Sequence, residues 1–258
     1  MFLDDPKISR VVFFPRKTEI PKNLPEYIKI IKLKIHDDII IGGILYLNDK
    51  VLPTILMFHG NGEVALDYRA FYSEYFQCGV NLAVIDFRGY GFSSHQPTYI
   101  SLIEDAMPIY NNFYDYMKQN QIKGSLFLQG RSLGSVCAAE IGSHNPENLK
   151  GIVFESGFAS IYNMMTRLFN VKGPQITREN LEKYSNHTRV KKFKKPTLII
   201  HGTEDWIIPS SEGKLLYESI PGDVEKKLVL IEGAGHNNIF FFKEKYFQSL
   251  NEFIKKYQ

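Results

Sequence analysis

Cysteine is nearly absent: Cys78 and Cys137 are the only two in 258 residues. Two thiols build neither a disulfide framework nor a four-thiolate zinc site, so both are expected as reduced core residues. An excess of one charge is missing as well. Lys plus Arg number 31 against 28 Asp plus Glu, a balance of +3 that is too small to mark a nucleic-acid-binding surface. Long apolar runs are lacking too. The longest, IIIGGILYL at 39–47, is nine residues, against about 20 for a membrane-spanning helix, so no transmembrane segment is expected. The opening MFLDDPKISR has two aspartates and a proline where a secretory leader would carry basic and then apolar residues, which leads to a cytoplasmic expectation. No repeat, low-complexity tract or Gly/Ser linker divides the chain, and a single domain over 1–258 is expected.

What is present is a regular rhythm. YIKIIKLKIH alternates apolar and charged residues, DD turns the chain, and IIIGGILYL returns as an antiparallel partner. Six short, nearly continuous apolar runs follow: TILMFH, NLAVID, SLFLQ, GIVFE, TLIIH and KLVLIE. Runs without alternation are the mark of strands buried on both faces, as in a parallel sheet. Helical spacing lies between them, over 64–78, 102–117 and 133–141, and again from Ile239 to Ile254. Alternating strands and helices predict an α/β fold: an open, mostly parallel sheet of about eight strands with helices on both faces. Reacting groups in such sheets gather in loops at the carboxyl ends of the strands.

Ser132 lies in one of those loops, in GRSLG after SLFLQ. Glycines on both sides permit a sharp turn that lifts the hydroxyl above the sheet. A serine hydroxyl needs a base, and His236 in EGAGHNN follows the last strand candidate. The base needs a carboxylate to fix its tautomer, and HGTEDWIIP offers Asp205, with Glu204 as the alternative. An anionic intermediate needs backbone donors. The amide of Leu133, just after the serine, and that of Asn61 in the HGNGE loop are the candidates for an oxyanion hole, although Asn-Gly is also an ordinary turn signal.

These motifs, HGNG, GRSLG, HGTEDWIIP and GAGH in that order, together with the glycine-rich DFRGYGFS, make the sequence resemble the α/β-hydrolase superfamily over nearly its whole length. Within it the chain looks most like a small-cap branch containing bacterial esterases and membrane-associated depalmitoylases. The resemblance implies a serine hydrolase acting through a Ser132, His236, Asp205 triad and an acyl-enzyme. It implies no cofactor and no metal, and a small-molecule ester or thioester as substrate. Asp86 and Arg88 in DFRGYGFS are expected to be structural.

The stretch between Ser156 and Pro196 exceeds an ordinary connection, and 157–196 is expected to form a small cap inserted in the domain. Ile161, Met164, Met165, Leu168 and Phe169 share one helical face there. Met164, Met165 and Leu168 are candidate substrate-binding residues, the alternative being that the face simply covers the sheet. His59 and His201 end strands but fit no zinc spacing. The lysine-rich VKKFKKP at 190–196 reads as a solvated connection, with weak contact to an anionic membrane surface as the alternative. The sequence therefore leads to a carboxylesterase-like hydrolase, with a protein or acyl-CoA thioesterase as the variant reading. A non-catalytic binding protein on the same fold is the competing class.

Overall fold

The structure, a computed structural model, describes residues 2–36 and 38–258. Eight strands form one sheet: β1 Ile28–Lys34, β2 Ile40–Tyr46, β3 Thr54–Phe58, β4 Asn81–Ile85, β5 Leu126–Arg131, β6 Leu149–Glu155, β7 Thr197–Gly202 and β8 Lys226–Ile231. Their spatial order is β1-β2-β4-β3-β5-β6-β7-β8, with β2 antiparallel to both its neighbours and every other pairing parallel. The turn expected at 37–38 falls partly on Asp37, which lies outside the described residues.

Burial follows the patterning. All side chains of β3, β4, β5 and β7 are buried, whereas edge strand β1 alternates. Leu56 and Phe58 of β3 join the core on one face of the sheet, and Ile55 and Met57 join the core on the other. Successive side chains on a strand point to opposite faces, so a strand covered by helices on both sides must be largely apolar. β3 lies between β4 and β5, so the chain leaves it first toward one edge and later toward the other. That reversal opens a crevice at the carboxyl ends of β3 and β5.

Several expected helices are broken, for local reasons. The 102–117 segment divides into Tyr99–Glu104 and Ala106–Gln119. Pro108 lacks the N–H that would bond the Glu104 carbonyl. Asp105, at the junction, accepts two bonds from Arg88, at 2.6 and 2.5 Å. The 64–78 segment is a 3₁₀ turn over Ala65–Ala70 followed by a short helix Tyr72–Gln77. The final helix runs Lys243–Tyr257 after a 3₁₀ turn at Ile239–Phe241. Helix Pro6–Val12 is absent from the sequence reading; Asp5 caps it by accepting from the Lys7 amide, and proline opens it.

The 157–196 segment holds only short pieces: Ile161–Asn163, a π-helical turn Met164–Leu168, Arg178–Glu182 and Asn186–Val190. The last is anchored to the main body, with Asn186 Nδ2 donating to Ser135 Oγ at 3.1 Å and to the Phe158 carbonyl at 2.8 Å. VKKFKKP leads directly into β7, which puts it at the amino end of a strand and away from the crevice. Val190 and Phe193 are buried there, and Asn145 accepts the Lys194 amide at 2.7 Å, as a surface connection requires. Among the described residues no helix is long and apolar enough to cross a membrane.

Candidate active site

Ser132 begins a 3₁₀ turn, Ser132–Gly134, between β5 and helix Ser135–Ser143. Its φ of +49° lies in the left-handed region that L residues avoid, a strain of about 1–2 kcal/mol held by the surrounding packing. The last position of this turn, Gly134, tolerates no side chain. A Cβ there would sit 2.0 Å from the Phe58 carbonyl oxygen, so the elbow rests directly on the end of β3. That contact brings the loop after β3 beside the serine.

His236 Nε2 lies 2.9 Å from Ser132 Oγ, and Nδ1 lies 2.7 Å from Asp205 Oδ2. An ionised carboxylate can only accept, so Nδ1 carries the proton and Nε2 presents its lone pair to the hydroxyl. Asp205 Oδ1 accepts the amides of Ile207 (3.1 Å) and Ile208 (2.7 Å), which fixes the plane of the carboxylate. Burial pushes this carboxyl up. The opposing bonds to His201 and His236, the His236 charge and the Ile208 amide outweigh it and hold the group well below the usual carboxylate range. His201 supports Asp205 from behind, with Nε2 2.8 Å from the Ile208 carbonyl oxygen and 3.5 Å from Asp205 Oδ2. Glu204 is exposed, so the sequence alternative of Glu204 as partner does not match the geometry.

A cleft of about 260 Å³ opens over the serine, bordered by Gly60, Asn61, Glu63, Ser132, Leu133, His236 and Asn237 on its polar side. Phe14, Phe158, Met164, Leu168, Phe169, Ile207 and Ile208 form the apolar wall. Both residues expected to donate amides therefore border the cleft. Asn61 is also held by its side chain: Oδ1 accepts from the Phe14 amide (3.0 Å) and Tyr90 Oη (2.6 Å), and Nδ2 donates to the Val12 carbonyl (2.7 Å). His59, behind this loop, is wholly buried beside the Phe87 and Tyr90 rings, with Nε2 3.4 Å from Asp86 Oδ1.

Of the three candidate substrate-binding residues, Met164 and Leu168 line the cleft and Met165 does not. Met165 is fully buried in the core, and this corrects the expectation. Consecutive helical residues point about a quarter turn apart, so with Met164 facing the cleft Met165 lies against the core; the i→i+5 bond from the Phe169 amide to the Met164 carbonyl, at 3.2 Å, brings Phe169 onto the Met164 side. A narrow side pocket continues from the cleft past Met164 and Leu168 toward Asn163, Arg167 and Glu212. Glu212 is buried and accepts the amides of Ala159 (2.8 Å) and Ser160 (2.9 Å) and Asn163 Nδ2 (2.7 Å). Cys137, five positions after Ser132, is a core thiol donating to the Leu102 carbonyl at 3.2 Å.

Sequence reasoning missed Phe14, whose place at the cleft follows from the path of the amino-terminal segment and has no local signal. It also missed Arg131, Glu63 and Glu155. For two of these a signal existed: Arg131 and Glu155 each end a largely apolar, largely buried strand, and a charge in that setting must find a partner. They stand opposite each other in the β5–β6 register, 2.7 Å apart at Nη1 and Oε1.

Comparison with known proteins adds the following. The sequence profile of a hydrolase family described as "Serine aminopeptidase, S33" matches residues 49–185 and 185–241. Protein bem46 of Schizosaccharomyces pombe is 28% identical over 244 residues, which cover 91% of this chain and 79% of that protein. The human α/β hydrolase domain-containing protein 17B is 29% identical over 211 residues, 79% of this chain and 66% of that protein. Among solved structures, an esterase of Pyrococcus furiosus, Pf2001, superposes with a TM-score of 0.73 at 19% identity, covering 94% of this chain and 98% of its own. A monoacylglycerol lipase of Paleococcus ferrophilus gives 0.60 at 19% identity, covering 80% and 95%. At these identities the solved structures share the fold.

Proposed function

Because this chain belongs to the α/β-hydrolases, in the family described as serine aminopeptidase S33, we propose that it is a serine hydrolase cleaving carboxylic esters or thioesters. What supports the reading is the unbroken run of hydrogen bonds from Asp205 through His236 to Ser132 at the floor of an apolar cleft. Ser132 Oγ attacks the acyl carbon while His236 Nε2 takes its proton, and Asp205 steadies the imidazolium. The negative charge on the carbonyl oxygen falls to the amides of Asn61 and Leu133. Collapse expels the alcohol or thiol, which receives the proton from His236 and leaves Ser132 acylated. Water, deprotonated by the same imidazole, releases the acid and restores the serine.

The apolar wall and the modest volume favour short to medium acyl chains, with Met164 and Leu168 against the chain. A thioester substrate is the variant reading, since the cleft's acyl side is indifferent to whether oxygen or sulfur leaves. The test is a panel of p-nitrophenyl esters from C2 to C16 beside acyl-CoA, S-acyl peptides and aminoacyl p-nitroanilides, with fluorophosphonate labelling of wild type and Ser132→Ala. Labelling and ester turnover that both vanish in the variant are expected. Labelling that persists in Ser132→Ala ends the assignment of the nucleophile, and turnover of the anilides alone would move the protein to the peptidases. No turnover and no labelling in the wild type would favour the binding-protein class.

A further inference from the structure

The residue immediately before Ser132 is Arg131, and its side chain is buried beneath the cleft. Nε donates to Glu63 Oε1 at 2.7 Å and Nη1 to Glu155 Oε1 at 2.7 Å. Nη1 and Nη2 both reach the main-chain carbonyl of His236 at 3.2 Å, and Nη2 lies 3.4 Å from Asn237 Oδ1. The guanidinium also stands 5.6 Å from the centre of the Phe240 ring. Glu63 carries the connection onward, because its Oε2 accepts the Gly60 amide and Tyr68 Oη, each at 2.9 Å. Glu155 Oε2 accepts from Tyr246 Oη at 2.7 Å and Gln129 Nε2 at 3.0 Å.

One planar cation thus touches the loops after β3 and β8 and the end of β6, while its own main chain carries the serine. Burying a guanidinium is costly, and two carboxylates would more than balance its charge. Those carboxylates leave its outer edge free to bond the His236 carbonyl, an uncharged acceptor whose only distinction is that it belongs to the base. We infer that Arg131 is a positioning residue of the site. It fixes the main chain of His236 on one side while Asp205 fixes the ring on the other, and through Glu63 it fixes the turn at Gly60 and Asn61. Histidine and oxyanion loop are held in register with Ser132 by a single side chain. This role rests on the serine-hydrolase reading and acts through His236 without touching substrate.

The experiment is a double-mutant cycle on p-nitrophenyl butyrate hydrolysis. Arg131→Lys keeps the charge but replaces a planar fork of five donors by a point charge unable to serve four acceptors. A misplacement of the base by about 1 Å lowers kcat by about 10²-fold, and KM is expected to stay within about threefold. In a His236→Ala background the same substitution is expected to lower kcat by no more than about tenfold, because no base remains to be positioned and only the oxyanion loop is still disturbed. Glu63→Gln, in a side chain that is one quarter exposed, keeps the measurement available should Arg131→Lys not fold. It is expected to lower kcat about tenfold, a loss only partly dependent on His236 because Glu63 also bonds the Gly60 amide. An Arg131→Lys loss equal in both backgrounds, a change confined to KM, or wild-type kcat in Glu63→Gln overturns the inference. Ser132→Ala serves as a control on the premise: turnover surviving it sinks the serine reading, whereas additivity with His236→Ala sinks the Arg131 inference alone.

Discussion

Replacing Asp205 by asparagine alters one atom and should stop the reaction while leaving the fold in place. The amides of Ile207 and Ile208 point at Oδ1, so the carboxamide must put its oxygen there; an NH₂ group in that place would face two donors. The NH₂ then occupies the Oδ2 position, 2.7 Å from His236 Nδ1. Nδ1 has to accept, the ring proton moves to Nε2, and the atom facing Ser132 at 2.9 Å is a donor with no lone pair for the serine proton. A triad held in the wrong tautomer loses about 10⁴-fold in kcat, four tenfold steps of about 1.36 kcal/mol each. Because both loop amides keep their acceptor the fold should persist, although losing a strongly depressed carboxylate lowers the urea midpoint at neutral pH. The assay is initial-rate hydrolysis of p-nitrophenyl butyrate at neutral pH beside urea unfolding of the same preparations. A folded Asp205→Asn variant with kcat within tenfold of wild type would refute the tautomer argument. Glu204→Gln, at an exposed position, is expected to change kcat less than about twofold.

Further outcomes follow from individual contacts. Gly134→Ala places a methyl 2.0 Å from the Phe58 carbonyl, two main-chain segments that cannot separate without opening the sheet. A loss of about 3 kcal/mol or more in urea unfolding is expected, and a variant as stable as wild type would contradict that close approach. Met164→Ala widens the cleft and should move the best ester toward longer chains. Met165→Ala should cost about 2–5 kcal/mol of stability with the chain-length preference unmoved, and a shifted preference would return Met165 to the cleft wall. Burial raises the Glu63 carboxyl, but the adjacent Arg131 charge and hydrogen bond more than reverse this and bring it from 4.5 down to about 2. A depressed carboxylate stabilises the fold above its unfolded value and loses that contribution as pH falls through its folded one. About 3 kcal/mol should therefore disappear between pH 4.5 and 2, at about 1.4 kcal/mol per pH unit. The stability gap between wild type and Glu63→Gln, measured by urea unfolding across that range, should narrow as the solution is acidified; a constant gap excludes the mechanism.

The strand positions could be read from the sequence because a strand buried on both faces has to be mostly apolar, a property that ILMF, LFL and LII each carry within themselves. Ser132, Asp205 and His236 were recognisable for a related reason: each follows such a run, in glycine-rich or turn-forming surroundings that are also local. The choice of Met165 as a cleft residue went wrong because Met164 and Met165 are adjacent and point about a quarter turn apart, and which of the two faces the cleft is decided by what the segment packs against. Phe14 reaches the cleft only because the amino-terminal segment crosses the molecule to bond Asn61, 47 residues away. Arg131 meets Glu63, Glu155 and the His236 carbonyl across separations of 68, 24 and 105 residues. Periodicity and turn chemistry are short-range and so are written in the chain. Which distant charges meet depends on strand order and register, and those exist only once the whole sheet has assembled.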